Sequence, residues 1–329
     1  MYQLIKDFPE QLAEALLISK ATHLHSIFNN PIKNIVISGL GGSGIGGDIL
    51  NELVADEITI PIVVNKGYFL PKFVDASTLL ILCSYSGNTE ETVQCANQAI
   101  ERGLTPICVT SGGKLAHIAK QHNFDLILIP AGFPPRACLG YSSVQLFYIL
   151  HHFGLLSDAY MGKVTGLIAL LKLEQTQIMQ QAEALAAKLV GKVIVLYSDE
   201  KYASVAVRIK QQINENSKLH CWYNSFPEMN HNELVGWRER NDALAVILLR
   251  ASDEYNRNSA RIEFCKNIIT KLSDNVYEVT ALGANTFEKH FYLMHFGDWL
   301  SHCLAVLQGY DPNEIDVLIA LKAHMGSIQ

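Results

Sequence analysis

The chain has 329 residues, 49% of them apolar and only 18% charged, which excludes a disordered segment and suits two domains at about 150 residues each. The formal net charge is −6 and no Lys/Arg-rich run occurs, so the basic footprint of a nucleic-acid binder is missing. The longest apolar runs, such as Ala243 to Leu249, are far shorter than the roughly 20 residues that span a bilayer. The cysteines, from Cys83 to Cys303, form no CxxC pair and are odd in number, as expected of reduced thiols in a cytoplasmic protein. The opening stretch carries Asp7, Glu10 and Glu14, which does not fit the basic-then-apolar order of a secretory signal.

In chain order, short β-branched runs at Asn34–Ser38, Ile60–Val64, Leu79–Cys83, Thr105–Thr110 and Asp125–Ile129 alternate with amphipathic stretches, the pattern of βα units. Near-continuous apolarity in Leu79–Cys83 and Leu126–Ile129 predicts a parallel sheet covered by helices on both faces. A periodic stretch from Lys163 to Leu189, with Leu167, Leu171, Ile178, Ala182 and Leu185 at helical spacing, predicts a long linking helix. The alternation then restarts with strand Lys192–Tyr197, helix Ala203–Ile213, strand Leu244–Leu249, helix Ala260–Leu272 and strand Val276–Val279. The expected fold is therefore α/β, with two tandem domains over residues 1–155 and 156–329. The linking helix and the C-terminal helices fall in the second. Residue-level similarity between the halves is too weak to establish a duplication.

Two loops in the first half carry chemistry. Strand Asn34–Ser38 runs into Gly39-Leu-Gly41-Gly42-Ser43-Gly44-Ile-Gly46-Gly47 and then a helix, an arrangement that lets backbone N–H groups approach an anion. Gly39, Gly41 and Gly44 also match GxGxxG. A dinucleotide site of that kind wants an acid at the tip of the next strand, and Ile60–Val64 ends in Asn65 and Lys66. A third reading gives these glycines only to close packing. The second loop is Ser84-Tyr85-Ser86-Gly87-Asn88-Thr89-Glu90-Glu91, between a buried strand and a helix. Capping, with Asn88 or Thr89 as N-cap and an acid in the first turn, accounts for Asn88 and Glu91. It leaves unexplained why Ser84 and Ser86 precede the cap at the carboxyl end of a strand, where open α/β sheets bind ligands. Three hydroxyls and a helix N-terminus suit a phosphate ester.

Gly41-Gly42-Ser43-Gly44 together with the serine loop resembles the sugar isomerase (SIS) domain family, whose members bind phosphosugars and hold the phosphate on that loop. An aldose–ketose isomerase needs a carboxylate base, a proton donor for the ring oxygen and positive charge near an enediolate. Candidates are Glu215 in Gln212-Ile-Asn-Glu-Asn-Ser-Lys218, His231 and Glu228 in Pro227-Glu-Met-Asn-His-Asn-Glu233, Arg136 in Pro134-Pro-Arg-Ala137, and Lys322 near the terminus. Spacing alone leaves each with a duller reading, as a solvated helix end, a surface histidine, a simple ion pair or a dipole-favoured cation.

Taken in order, these motifs span nearly the whole chain and resemble the bifunctional phosphoglucose/phosphomannose isomerase family, tandem SIS-domain enzymes. The resemblance implies interconversion of glucose 6-phosphate, and of mannose 6-phosphate, with fructose 6-phosphate through a cis-enediol. It implies Glu215 as the proton-shuttling base and Arg136 at the enediolate. Ring opening falls to Lys322 and to His231, the latter lent by the neighbouring subunit of a homodimer. Gly42, Ser43, Ser84, Ser86 and Thr89 are implied as the substrate-binding set. The family's threonine near the C-terminal motif, tied to acceptance of the mannose epimer, has no counterpart in Asp311-Pro-Asn-Glu-Ile315, and the residues alone do not decide between Glu215 and Glu228.

No HExxH or paired-cysteine signature supports zinc, and His295 and His302 fit a buried helix face. Neither metal nor cofactor is expected. The competing readings are a non-catalytic sugar-phosphate-binding SIS protein, for which no helix-turn-helix extension is visible, an isomerase restricted to one epimer, and a nicotinamide oxidoreductase.

Overall fold

The computed structural model describes residues 1–328. In chain order the elements are α1 (Tyr2–Lys6), α2 (Phe8–Ala21), β1 (Asn34–Ser38), α3 (Gly41–Val54), β2 (Ile62–Asn65), β3 (Thr78–Ser84), α4 (Glu90–Glu101), β4 (Ile107–Thr110), α5 (Gly113–Gln121), β5 (Asp125–Leu128) and α6 (Leu139–His152). After these come α7 (Ala159–Leu189), β6 (Val193–Asp199), α8 (Ala203–Ser217), β7 (Cys221–Phe226), β8 (Leu244–Arg250), α9 (Asn256–Ile269), β9 (Val276–Thr280), α10 (Thr286–Leu307) and α11 (Asp316–Met325). The chain forms two compact units. One comprises Lys6–Leu173 with Gly283–Lys289. The other comprises Met1–Ile5, Glu174–Leu282 and the residues from 290 onward. The division therefore falls within α7 rather than at its start.

The first unit holds a five-stranded, all-parallel sheet in the order β2-β1-β3-β4-β5. Every residue of β3 is buried, and Ile35, Val36 and Ile37 are shut off from water, so both faces are covered as a parallel sheet requires. On one face Val36, Leu80, Leu82 and Cys108 pack with Ala96, Ala99 and Leu115 of α4 and α5. The second unit repeats the plan with a parallel sheet in the order β7-β6-β8-β9. There Val195, Tyr197, Val246 and Leu248 pack with Ile262, Cys265 and Ile269 of α9 and with Met229. The α/β architecture with two mostly parallel sheets is thus as expected.

The departures from expectation have local causes. β2 and β4 begin at Ile62 and Ile107, each one residue after a proline, Pro61 or Pro106, that has no N–H to donate to a ladder. β7 escaped the sequence reading because CWYNSF lacks alternation and carries Asn224 and Ser225. It is the outer strand of its sheet, with Trp222 and Tyr223 exposed. α8 runs four residues further than the expected helix, which puts Glu215 inside it. α3 starts at Gly41, so the glycine run is the first turns of a helix rather than a loop before one.

The buried face of α10 includes two histidines. His295 is fully buried and accepts a hydrogen bond from Trp299 Nε1 at 3.1 Å, and burial pulls its imidazole down from 6.5 to about 3. The folded chain therefore resists protonation at His295 while the unfolded chain accepts it, so stability falls as pH drops from 6.5 toward 3. The expected contribution is up to about 1.4 kcal/mol per pH unit within that window. Urea unfolding of the protein and of His295→Phe between neutral pH and mild acid checks this. The variant is expected to show the shallower pH dependence, and equal slopes would refute the assignment.

Candidate active site

The loop between β3 and α4 is built by its own hydroxyls. Ser84, the last residue of β3, is buried, and its Oγ lies 2.8 Å from Thr89 Oγ1. Thr89 occupies the position before α4, yet its side chain makes no cap hydrogen bond, so the capping reading does not account for it. Ser86 Oγ accepts from Asn88 N at 3.2 Å, and Asn88 Oδ1 accepts from Lys114 N at 3.1 Å. Gly87 has φ +66°, and a Cβ there would lie 1.8 Å from the Gly112 carbonyl oxygen, so both backbone and space demand glycine. Ser43, in the first turn of α3, accepts from Tyr85 N at 3.2 Å. The ends of β1 and β3 are thereby joined at the point where strand order reverses, the crevice in which open sheets bind ligands.

Close packing explains much of the glycine run. A Cβ on Gly44 would meet Gly39 O at 2.5 Å, and one on Gly47 would press on Val64 and Ile37 at 3.1–3.2 Å. A Cβ on Gly42 would meet the Pro135 carbonyl oxygen at 3.0 Å and Arg136 Cα at 3.7 Å, so the absent side chain lets the Arg136 segment approach the loop. Tyr85, which the sequence reading passed over, holds that segment from the other side. Its hydroxyl donates to Pro130 O at 3.0 Å and accepts from Phe133 N at 3.0 Å, while burial pushes its phenol well above the usual range. Arg136 itself is 3% exposed. Gly42, Ser43, Ser84, Ser86, Thr89 and Arg136 thus all belong to one neighbourhood of the first unit. A dinucleotide site has less support, since Asn65 at the tip of β2 donates to Ser38 Oγ at 3.3 Å and Lys66 pairs with Asp48 at 2.5 Å.

Glu215, His231 and Lys322 lie on three elements of the second unit. Glu215 is half-buried in the last turn of α8. Arg208, Gln212 and Asn216 recur every four residues and form a buried polar stripe on that helix. Arg208 Nη2 and Gln212 Nε2 donate to Asp298 Oδ1 of α10 at 3.1 and 2.6 Å, and Asn216 Nδ2 donates to Ser301 Oγ at 2.9 Å. Burial raises the Asp298 carboxyl against the pull of Arg208. This ladder fixes the roll of α8 and with it the direction of Glu215.

His231 is exposed at the end of a 3₁₀ turn, Glu228–His231, whose Met229 is buried in the core. Two residues on, Glu233 anchors the loop: Oε1 accepts from Tyr197 OH at 2.5 Å and Trp222 Nε1 at 3.0 Å, and Oε2 from Asn224 Nδ2 at 2.6 Å. Glu228 is exposed and accepts from Asn232 Nδ2 at 2.6 Å within the same loop. Lys322 lies on α11, a helix with no buried residue. Among the described residues, no three His, Cys, Asp or Glu side chains are grouped to hold a metal ion, and no helix is long and apolar enough to cross a membrane.

Residues 178–325 match the bacterial phospho-glucose isomerase C-terminal SIS domain. Over its full length the chain is 35% identical to a bifunctional phosphoglucose/phosphomannose isomerase of Caldicellulosiruptor bescii, itself covered completely. The chain belongs to the bifunctional phosphoglucose/phosphomannose isomerase family. It is an isomerase. The Aquifex aeolicus member is 35% identical, with 90% of this chain and 91% of the relative aligned. A D-glucosamine-6-phosphate 4-epimerase of Sulfolobus acidocaldarius is 30% identical over 70% of this chain and 72% of its own. Among solved structures, the tagatose-6-phosphate ketose/aldose isomerase of Escherichia coli superposes with TM-score 0.73 at 16% identity, covering 95% of each chain. The C-terminal domain of glucosamine-fructose-6-phosphate aminotransferase from Francisella tularensis gives 0.76 at 15%, covering 95% of this chain and 96% of that one. These two confirm the tandem fold.

Within this family frame, the residues that the sequence reading missed are supports: Tyr85, Asp298 and Glu233. The signal available was weak, a tyrosine inside the serine motif and an acid at the end of the histidine motif. The Gly87 geometry yields a direct expectation. Gly87→Ala should destabilise the first unit by about 1–3 kcal/mol through strain and collision with Gly112. It should also weaken inorganic phosphate as a competitive ligand, as read by chemical denaturation and calorimetry. Unchanged stability would show that the loop does not need its left-handed turn.

Proposed function

We propose that the protein is an aldose–ketose isomerase interconverting glucose 6-phosphate, and mannose 6-phosphate, with fructose 6-phosphate through a cis-enediol. One observation carries the reading. A buried serine and a threonine hydroxyl pair at the head of α4, clamped to α3 through Ser43, in a chain 35% identical from end to end to a bifunctional phosphoglucose/phosphomannose isomerase. Ser43, Ser84, Ser86, Thr89 and the start of α4 hold the phosphate dianion by charge-assisted hydrogen bonds and the helix dipole, with Gly42 leaving room. Lys322 and His231 move the proton that opens the ring, His231 being contributed by the second subunit of a homodimer.

Glu215 takes the proton from C2 of the open aldose, leaving an enediolate whose negative oxygen faces Arg136, and returns it to C1 to give the ketose. No electron leaves the substrate, so the reaction balances without an external oxidant or reductant. Glu215 is favoured over Glu228 as the base. It stands on a helix whose orientation is fixed by a buried ladder, whereas Glu228 is exposed on a short turn, and catalysis rewards a base held in one place.

Glu215→Gln should lower kcat by at least about 10²-fold and abolish incorporation of solvent deuterium at C1 and C2; a fully active variant eliminates this base. Ser84→Ala should raise KM roughly tenfold, the loss expected for one hydrogen bond to a charged group, with kcat little changed. Turnover of the glucose and mannose epimers measured side by side tests dual specificity. The absence of any isomerisation, together with calorimetric binding of fructose 6-phosphate, would favour the non-catalytic reading. Formation of a 4-epimer from glucosamine 6-phosphate would favour the chemistry named for the Sulfolobus relative.

A further inference from the structure

α8 does not end on glycine. The residue after its last turn is Lys218, with φ 56° and ψ 32°, a left-handed conformation that a side chain with a Cβ adopts only at an energetic cost. Glycine is the residue that helices favour there, so something must offset the strain. The side chain shows what. Lys218 Nζ donates to the Asn216 carbonyl at 3.2 Å and to the Asp311 carbonyl at 2.5 Å, and lies 4.0 Å from Glu314 Oε2.

Asn216 is the residue after Glu215. Asp311 and Glu314 belong to the connector, residues 308–315, that leads out of α10 into α11, which carries Lys322. On the same turn Asn214 Nδ2 donates to Leu219 O at 2.6 Å, closing the helix end without the lysine. The ammonium is therefore used to reach another segment, not merely to cap its own. The connector has its own order to be held by, since Asp311 Oδ1 accepts from Asn313 N and Nδ2 at 2.8 and 3.0 Å.

We infer that Lys218 is a positioning residue whose side chain ties the last turn of α8, bearing Glu215, to the connector that aims α11 and Lys322. It thereby locks a base and a proton donor carried on separate elements into one arrangement. A strained backbone held at a site of chemistry is the expected mark of such a device. The inference rests on the roles given to Glu215 and Lys322 above.

The test uses the backbone strain. Lys218→Gly removes the strap but relieves the left-handed residue, so its thermal midpoint should be unchanged or higher. Its kcat for fructose 6-phosphate should nonetheless fall about 10- to 100-fold, as small misplacements of catalytic groups do, with KM within about twofold because no phosphate contact is lost. Amide exchange across residues 309–316 should quicken while the core of β6 and β8 stays protected. Lys218→Asn, the other residue tolerant of this backbone, should behave in the same way.

Full kcat in both variants overturns the inference, as does a kcat loss that merely follows a fall in thermal midpoint, or a rise in KM at constant kcat. Glu215→Gln run alongside separates the two levels. If it is inactive while Lys218→Gly is fully active, only the strap is wrong. If it remains active, the base assignment fails, and the strap fails with it.

Discussion

A dianionic ester can be held without a lysine only where several neutral donors and a helix N-terminus already converge, and the carboxyl end of a buried parallel strand is where a protein can arrange this cheaply. In this protein the proposed phosphate site has that form, and the first unit is built around it. β3 must be buried on both faces to end in a firm position, Gly87 must turn left-handed beneath the Gly112 carbonyl, and Ser43 must bind the Tyr85 amide so that α3 and the serine loop share one crevice. Tyr85 extends the same framework to the segment bearing Arg136 through hydrogen bonds at both sides of its hydroxyl. Removing any of these supports loosens donors whose value lies in being preorganised.

The second sheet repeats the topology but not the chemistry. At its own strand-order reversal, between the ends of β6 and β8, the described residues show no paired hydroxyls like those of Ser84 and Thr89. Lys201 pairs there with Asp253 at 2.9 Å, and Tyr202 donates to the same carboxylate at 2.6 Å, so that the corresponding crevice is occupied by the protein's own charges. What this unit supplies instead is a helix, α8, gripped along one face by buried polar contacts to α10. Such a ladder is a costly way to stabilise a fold, because buried ions lose their hydration. It defines a single rotation of the helix where apolar packing would tolerate several. The base proposed at Glu215, which would have to reach two adjacent carbons, needs that definition.

The histidine loop follows the same logic by other means. A 3₁₀ turn has little intrinsic stability, and here it is pinned at one end by Met229 in the core and at the other by Glu233 among three donors. His231 stands exposed between two fixed points, a placement that suits the role proposed for it at a neighbouring subunit's site.

Read alone, the sequence determined the α/β class, most strands and the family, because these follow from local quantities: apolar period, glycine and proline positions, and ordered short motifs. Its errors were local as well, at strands trimmed by Pro61 and Pro106 and at β7, whose exposed aromatics and polar residues hide the period of two. The sequence could nominate Ser84, Thr89, Glu215 and Lys322, yet left capping, solvated helix ends and Glu228 as rivals. Tertiary structure decided what depends on residues far apart in the chain: that Ser43 takes the Tyr85 amide and so joins α3 to the serine loop, that Gly42 makes room for Pro135 and Arg136, that Asp298 sets the roll of α8. No window of sequence contains both partners of these contacts, so no local pattern could have announced them.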